Sequence, residues 1–268
     1  MTPPAALRLL LSVTTVAVVA VTSAAGPASR VDITADELRL DAATRVATAT
    51  GRVRVTDGVT TATAARATLF HREGRGVLTG GARVAAPEGT LTGQEITIMY
   101  TAAAITRVTA TGAASLKSED TLIGAPVITL VPSSDTLTAS GRVRVTSPPG
   151  ITAAGDRLTY QRSRGLLTMD GAVRVQTADG SVDGDRLEAF GQWDRIVVTG
   201  NVHGVFRDID VRSRIAEVTS AEKKAVFTGD VRLTQPDRRM VTERVTVWYA
   251  VGRVVAEGQT TIRLEPQP

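Results

Sequence analysis

The chain is 268 residues long, carries 31 Lys+Arg against 27 Asp+Glu for a formal charge of +4, and is 43% hydrophobic but only 3% aromatic, with no cysteine. Evenly spread basic residues without a patch, and few aromatics to stack bases, speak against a nucleic-acid partner, and without cysteine the stability must come from continuous packing. Arginine far outnumbers lysine, a bias that suits bidentate phosphate or carboxylate binding but that a GC-rich genome produces equally, and the second reading is preferred.

Residues 1–25 read as a secretory signal: Arg8 precedes an almost wholly apolar run from Leu9 to Val21, and Ser23-Ala24-Ala25 supplies the small residues of a cleavage site. The run, about 13 residues, is shorter than the roughly 20 that a spanning helix needs. The mature chain is expected to begin near Gly26; an uncleaved N-terminal anchor is the alternative. Both readings export residues 26–268.

Over that span one phrase recurs: a small or polar residue, Gly, then alternating Val and Arg, as in Ala49-Thr50-Gly51-Arg52-Val53-Arg54-Val55. Its first glycines stand at Gly51, Gly80, Gly112, Gly141, Gly171, Gly200, Gly229 and Gly258, at intervals of 29, 32, 29, 30, 29, 29 and 29 residues. About eight units of one repeated architecture follow from that beat. The alternation predicts half-buried strands with Val inward and Arg outward, and the mid-strand glycine predicts a kink or bulge. Asp57-Gly58, Pro87-Glu88-Gly89, Ser147-Pro148-Pro149-Gly150, Ala178-Asp179-Gly180 and Gln235-Pro236-Asp237 read as turns. After each turn comes a second phrase, as in Ile151-Thr152-Ala153-Ala154-Gly155-Asp156-Arg157-Leu158-Thr159-Tyr160, so one unit holds two or three short strands. No unit can bury its own apolar face, so neighbours must stack or pair into an elongated all-β body. Pro126, Pro132 and the 32-residue interval suggest a subdomain break near 118–135.

Little in the sequence points to catalysis, and no enzyme activity, cofactor or metal is expected. The two histidines, His71 and His203, lie in different repeats and are read as surface residues. Asp156, Asp185, Glu188 and Asp194 sit where turns and solvated faces are favoured, although an acid and base pair on a long sheet could still serve a lyase or glycosidase. Gly155-Asp156 and Asp183-Gly184-Asp185 lack the nine-residue beat of a calcium β-roll and are read as turns. What does recur is an inward row of aliphatics: Val53, Val55, Val84, Ile96, Ile98, Val143, Val145, Leu158, Val173, Val175, Leu187, Val231, Leu233 and Val245. These are either an ordinary core or the lining of an open groove for something apolar, and periodicity does not decide between the two.

Ile33-Thr34-Ala35-Asp36-Glu37-Leu38-Arg39-Leu40-Asp41, Ala154-Gly155-Asp156-Arg157-Leu158-Thr159-Tyr160 and Val197-Val198-Thr199-Gly200-Asn201-Val202 resemble phrases of the OstA-like family, which includes LptA, LptC and the N-terminal part of LptD. The resemblance spans residues 31–264. It implies an open, V-shaped β-jellyroll whose interior carries the acyl chains of lipopolysaccharide or a related glycolipid across the periplasm. It also implies edge-strand pairing, here near Val31 to Leu40 and Val254 to Leu264, with LptC-like or LptD-like partners or with itself. The chain has more repeats than a minimal bridge subunit and no barrel after them, which disfavours an LptD role. LptC-like anchoring requires that Leu9 to Val21 be retained. The competing expectation is an exported structural or adhesive β-solenoid with a filled core and no ligand.

Overall fold

Alternating Val or Ala with Thr or Arg gives strands that bury one face, and nearly every such stretch is a strand. The computed structural model describes residues 32–264 except 58, 88, 102, 103, 119, 149 and 192; the expected export signal, residues 1–25, lies outside the described residues. The chain falls into two compact units that divide between Gly141 and Arg142.

The first unit contains β1 (Asp32–Thr34), β2 (Glu37–Asp41), β3 (Val46–Thr56), β4 (Thr61–Phe70), β5 (Arg75–Ala86), β6 (Gly89–Tyr100), β7 (Ile105–Ser118) and β8 (Thr121–Val131). The boundary falls inside β9 (Thr136–Ser147). The second unit contains β10 (Ile151–Gln161), β11 (Leu166–Thr177), β12 (Gly180–Phe190), β13 (Arg195–Phe206), β14 (Ile209–Thr219), β15 (Lys224–Gln235), β16 (Arg238–Trp248), β17 (Arg253–Glu257) and β18 (Thr261–Leu264). Within each unit consecutive strands pair antiparallel, as in β3 with β4 with β5 and β10 with β11 with β12. What repeats is therefore a hairpin. The coil of a parallel β-solenoid, entertained from the repeat alone, is overturned by this antiparallel register.

The recurring glycine builds a corner. In β3, Thr50 pairs with Arg66 and the next pair is Val53 with Ala64, so Gly51 and Arg52 oppose the single residue Ala65. The same two-against-one bulge recurs in β5, β7, β11, β13 and β15, and such a bulge bends its strand sharply. Both bulge residues are left-handed, with φ of 75° and 49° at Gly51 and Arg52, and 83° and 44° at Gly171 and Ala172. The second, non-glycine residue is held by the corner residue of the preceding strand in several units. Arg52 forms a 2.6 Å ion pair with Asp36, Asn201 Nδ2 donates to Asp185 at 2.8 Å, and Asp230 pairs with Arg214. The Gly-Asp elements, read from the sequence as turns, are instead strand corners inside β10 and β12, where Asp156 and Asp185 lie against Gly171 and Gly200 of the next corner.

Each bent strand contributes one arm to each of two facing leaves. The front leaf holds the arms before the corner on β3, β5 and their successors and after it on β4, β6 and theirs; the back leaf holds the rest. The terminal strands follow the same rule. Split at Ala35-Asp36, β1 pairs with the back arm and β2 with the front arm of β3, while β17 and β18 flank the front and back arms of β16. Edge positions Leu38, Leu40, Ile262 and Leu264 are accordingly 54%, 76%, 53% and 74% exposed.

At Gly80, φ is 81° and an added Cβ would stand 2.6 Å from the Cβ of Ala65, which the backbone holds in place. We expect Gly80→Ala to lower unfolding free energy by about 1–3 kcal/mol from left-handed strain and that overlap, measured as a shift of the urea midpoint with unchanged slope.

Candidate functional site: the apolar interior of each unit

Two rows of side chains face inward from each leaf, one beside the corner and one beyond it. Beside the corner the leaves touch. In the first unit large residues on the front leaf, Leu78, Ile96 and Ile128, face small ones on the back leaf, Ala64, Ala82, Ala114 and Ala125, and all are buried, Ile96 and Ile128 completely. Large against small in this way lets the leaves approach closely at the bend.

Beyond the corner the first unit is hollow. The front-leaf row there reads Ala47, Leu69, Gly76 and Ile98 in cross-strand register, and the back-leaf row reads Ile33, Val55, Ala62 and Val84. Alanine and glycine do not reach across the gap. A cavity of about 90 Å³ remains, bounded by Ile33, Leu38, Ala47, Ala49, Val55, Ala62, Ala67, Thr68, Leu69, Gly76, Val77, Leu78 and Ile98. A water needs two to four polar partners to be held, and apart from Thr68 every side chain here is aliphatic or absent. The cavity therefore favours an apolar guest. It runs out to the N-terminal edge, where Ile33 and Leu38 are 42% and 54% exposed.

The second unit fills the equivalent space. Phe227, in the corner row of the front leaf two residues before Gly229, is fully buried, and its ring reaches under Gly204 in the outer row of the back leaf, where a Cβ would stand 2.6 Å from it. Phe206 packs edge-on to Phe227 at 6.2 Å and stacks on Tyr249 at 5.2 Å and 13°. A cavity of only about 30 Å³ is left, lined among others by Val175, Val182, Ile196, Val198, Phe206, Val218 and Tyr249.

Of the inward residues named from the sequence, Val53, Ile96, Ile98, Val143, Val145, Leu158, Val173, Val175, Leu187, Val231, Leu233 and Val245 are buried, and Val55 and Val84 are half-buried. Val55 and Ile98 line the first cavity and Val175 the second. Val53, Ile96, Leu158, Val173, Leu187, Val231 and Val245 belong to the corner rows, which the periodicity merged with the outer ones. The reading missed the residues that create the space, Ala47, Ala62, Ala67 and Gly76. Their signal was the run of Ala and Gly through residues 47–85, small where most other repeats carry Val, Leu or Ile.

Charge is kept outside. The Arg174–Asp183, Arg186–Asp170 and Arg195–Glu217 pairs, each 2.7 Å, lie on outer faces, and the Arg52 hydrogen bond holds the Asp36 carboxyl below its ordinary pKa. His71 is exposed, whereas His203 is half-buried, with Nε2 2.8 Å from Asp210 Oδ2; the expectation of a plain surface residue needs that correction, and its cause is pairing across β13 and β14. Among the described residues no three His, Asp or Glu converge as metal ligands. Among the described residues the Tyr100 hydroxyl, at the end of β6, is buried without a hydrogen-bond partner, and burial raises its pKa.

A Cβ on Gly76 would meet only Leu69 Cδ1, at 4.0 Å, so Gly76→Val has room. We expect it to leave stability unchanged or raise it by up to about 1 kcal/mol through added apolar burial, while binding of a hydrophobic naphthylamine dye, followed by fluorescence, falls severalfold.

A family model described as LptA/(LptD N-terminal domain) LPS transport protein matches residues 32–195 and 210–267. Among solved structures the chain is similar to LptH, the LptA homologous periplasmic component of the conserved lipopolysaccharide transport device from Pseudomonas aeruginosa, at 19% identity over 54% of this chain and 84% of that one, with a TM-score of 0.32. No curated protein matches the sequence.

Proposed function

The chain belongs to the LptA/LptD N-terminal family of lipopolysaccharide-transport proteins, and from that premise we propose that it is a periplasmic carrier of lipopolysaccharide or a related glycolipid toward the outer membrane, acyl chains held between the two leaves. The observation that carries this reading is the aliphatic cavity of the first unit, about 90 Å³, opening at the N-terminal edge. Burying an acyl chain gains about 0.8 kcal/mol per methylene, so even a partly enclosed chain is retained while the sugars stay in water. Within the first unit the aliphatic lining offers a moving lipid a similar grip from one strand pair to the next. Membership of a transport family agrees with a role without catalysis.

The terminal strands support partner pairing. Among the described residues β1 and β2 have register only with β3, and β17 and β18 only with β16, so backbone groups at both ends are open to β-augmentation. A strand added beside β1 and β2 would extend the leaves at the place where the cavity opens. LptC-like and LptD-like proteins, or a second copy, are the proposed occupants.

The reading is tested by placing a photo-reactive side chain at Ala62, Leu69 or Ile98, with outward Arg54 and Arg83 as controls, in mature protein loaded with lipopolysaccharide. Labelling confined to the inward positions is expected; equal labelling at Arg54 and Arg83, or none at any position of the folded protein, would remove the carrier reading. We further expect Leu40→Lys to abolish end-to-end association, read by light scattering, without loss of labelling at Leu69.

A further inference from the structure

The geometry points to a latch that closes the mouth of the second unit, so that lipid enters that unit only when the latch opens. The inference rests on the carrier reading above. It starts from where the free ends of the two leaves lie. Phe206 ends β13 on the back leaf, and Tyr249 follows β16 on the front leaf. Both stand at the end of an arm remote from the corner, where an open groove would part, yet their rings stack at 5.2 Å.

A second contact joins the same two rims. Lys223, in the turn between β14 and β15 on the front side, reaches Asp179 in the turn between β11 and β12 on the back side at 3.2 Å. A third runs from Arg207 Nη2 on the back rim to the carbonyl of Ala250 on the front rim, 3.2 Å. The contacts are built together. The Tyr249 amide donates to Lys223 O at 3.1 Å, which fixes the two front-rim partners. On the back rim Gly180, next to Asp179, leaves the space that the Phe206 ring occupies, since a Cβ there would lie 2.8 Å from Phe206 Cδ1. Asp179 is also near enough to Tyr249 to push its phenol, already raised by burial, further up.

The contacts suit something that opens. Ion pairs with partners as exposed as Lys223 (55%) and Asp179 (31%) are weak and salt-screened, and a single ring stack is readily exchanged for contact with a lipid chain. Parting them would uncover Val175, Val182, Ile196, Val198 and Val218, the lining of the small cavity behind. The two units would then differ in role: the first stands open to an apolar guest, and the second admits one on release of the latch.

Because the chain has no cysteine, Asp179→Cys with Lys223→Cys provides one defined pair for a short, reducible bis-thiol crosslinker. Full-length mature protein carrying a diazirine side chain at Val218, or at Leu69 in the first unit, is exposed to lipopolysaccharide and irradiated. Crosslinking is expected to cut lipid labelling at Val218 at least about fivefold and to leave Leu69 unchanged, with reductant restoring it; Lys223→Glu, an exposed change that spares the core, should raise labelling at Val218 about two- to threefold. Labelling at Val218 that is indifferent to the bridge, or absent in every variant while Leu69 is labelled, overturns the latch and leaves the carrier reading standing. Absence of label at both positions in folded protein overturns the carrier reading and the latch with it.

Discussion

Everything in this fold depends on a two-residue left-handed bulge repeated at the middle of alternate strands. A straight strand of this composition would stack into a flat sheet with one apolar face open to water. The pair Gly171-Ala172 and its counterparts fold each strand over, so the two halves of the same apolar face confront each other. The strain of a left-handed alanine, arginine or asparagine, about 1–2 kcal/mol for each residue, is offset by a hydrophobic angle that closes only when neighbouring strands bend at the same level. The fixed beat of the glycines therefore follows from the packing: an insertion that moved one corner out of line would place its bend against a neighbour's straight arm.

Once the bend is fixed, side-chain size decides what each level of the interior becomes. Beside the corner, large front-leaf and small back-leaf residues interlock, and the result is a core. Beyond it the leaves diverge, and Ala47, Ala62 and Gly76 leave space in the first unit, whereas Phe206, Phe227 and Tyr249 occupy it in the second. One backbone plan thus supports an open interior and a filled one, and changing a handful of side chains would convert either into the other. An apolar ligand needs no directional partner, which is why a lining of this kind can hold a chain without holding it in one register.

The strands, turns and corners were legible because each rests on a local rule. Val and Arg alternate at Val53, Arg54 and Val55, and the buried and exposed pattern follows; Ala178-Asp179 and Pro236-Asp237 turn the chain. The mid-strand glycines were read as kinks, and the register bears that out. The interior was less legible because Val53 and Val55 look alike in sequence while one closes the corner and the other faces the cavity. Only the distance from the bulge separates them. Space itself has no residue signature: Ala47 and Gly76 matter for what they lack, and the stacking of Phe206 on Tyr249, 43 positions apart, arises from the meeting of two leaves, which no local pattern encodes.

The most direct test of the account is to observe the guest between the leaves. With methyl-labelled protein bound to lipopolysaccharide of uniformly labelled acyl chains, intermolecular nuclear Overhauser contacts should join chain methylenes to the methyl groups of Val55, Leu69 and Ile98 and should be absent from outward Thr63 and Thr97. Contacts restricted to the exposed edge residues Leu40 and Leu264, with the interior methyls unchanged while lipid is bound, would contradict it.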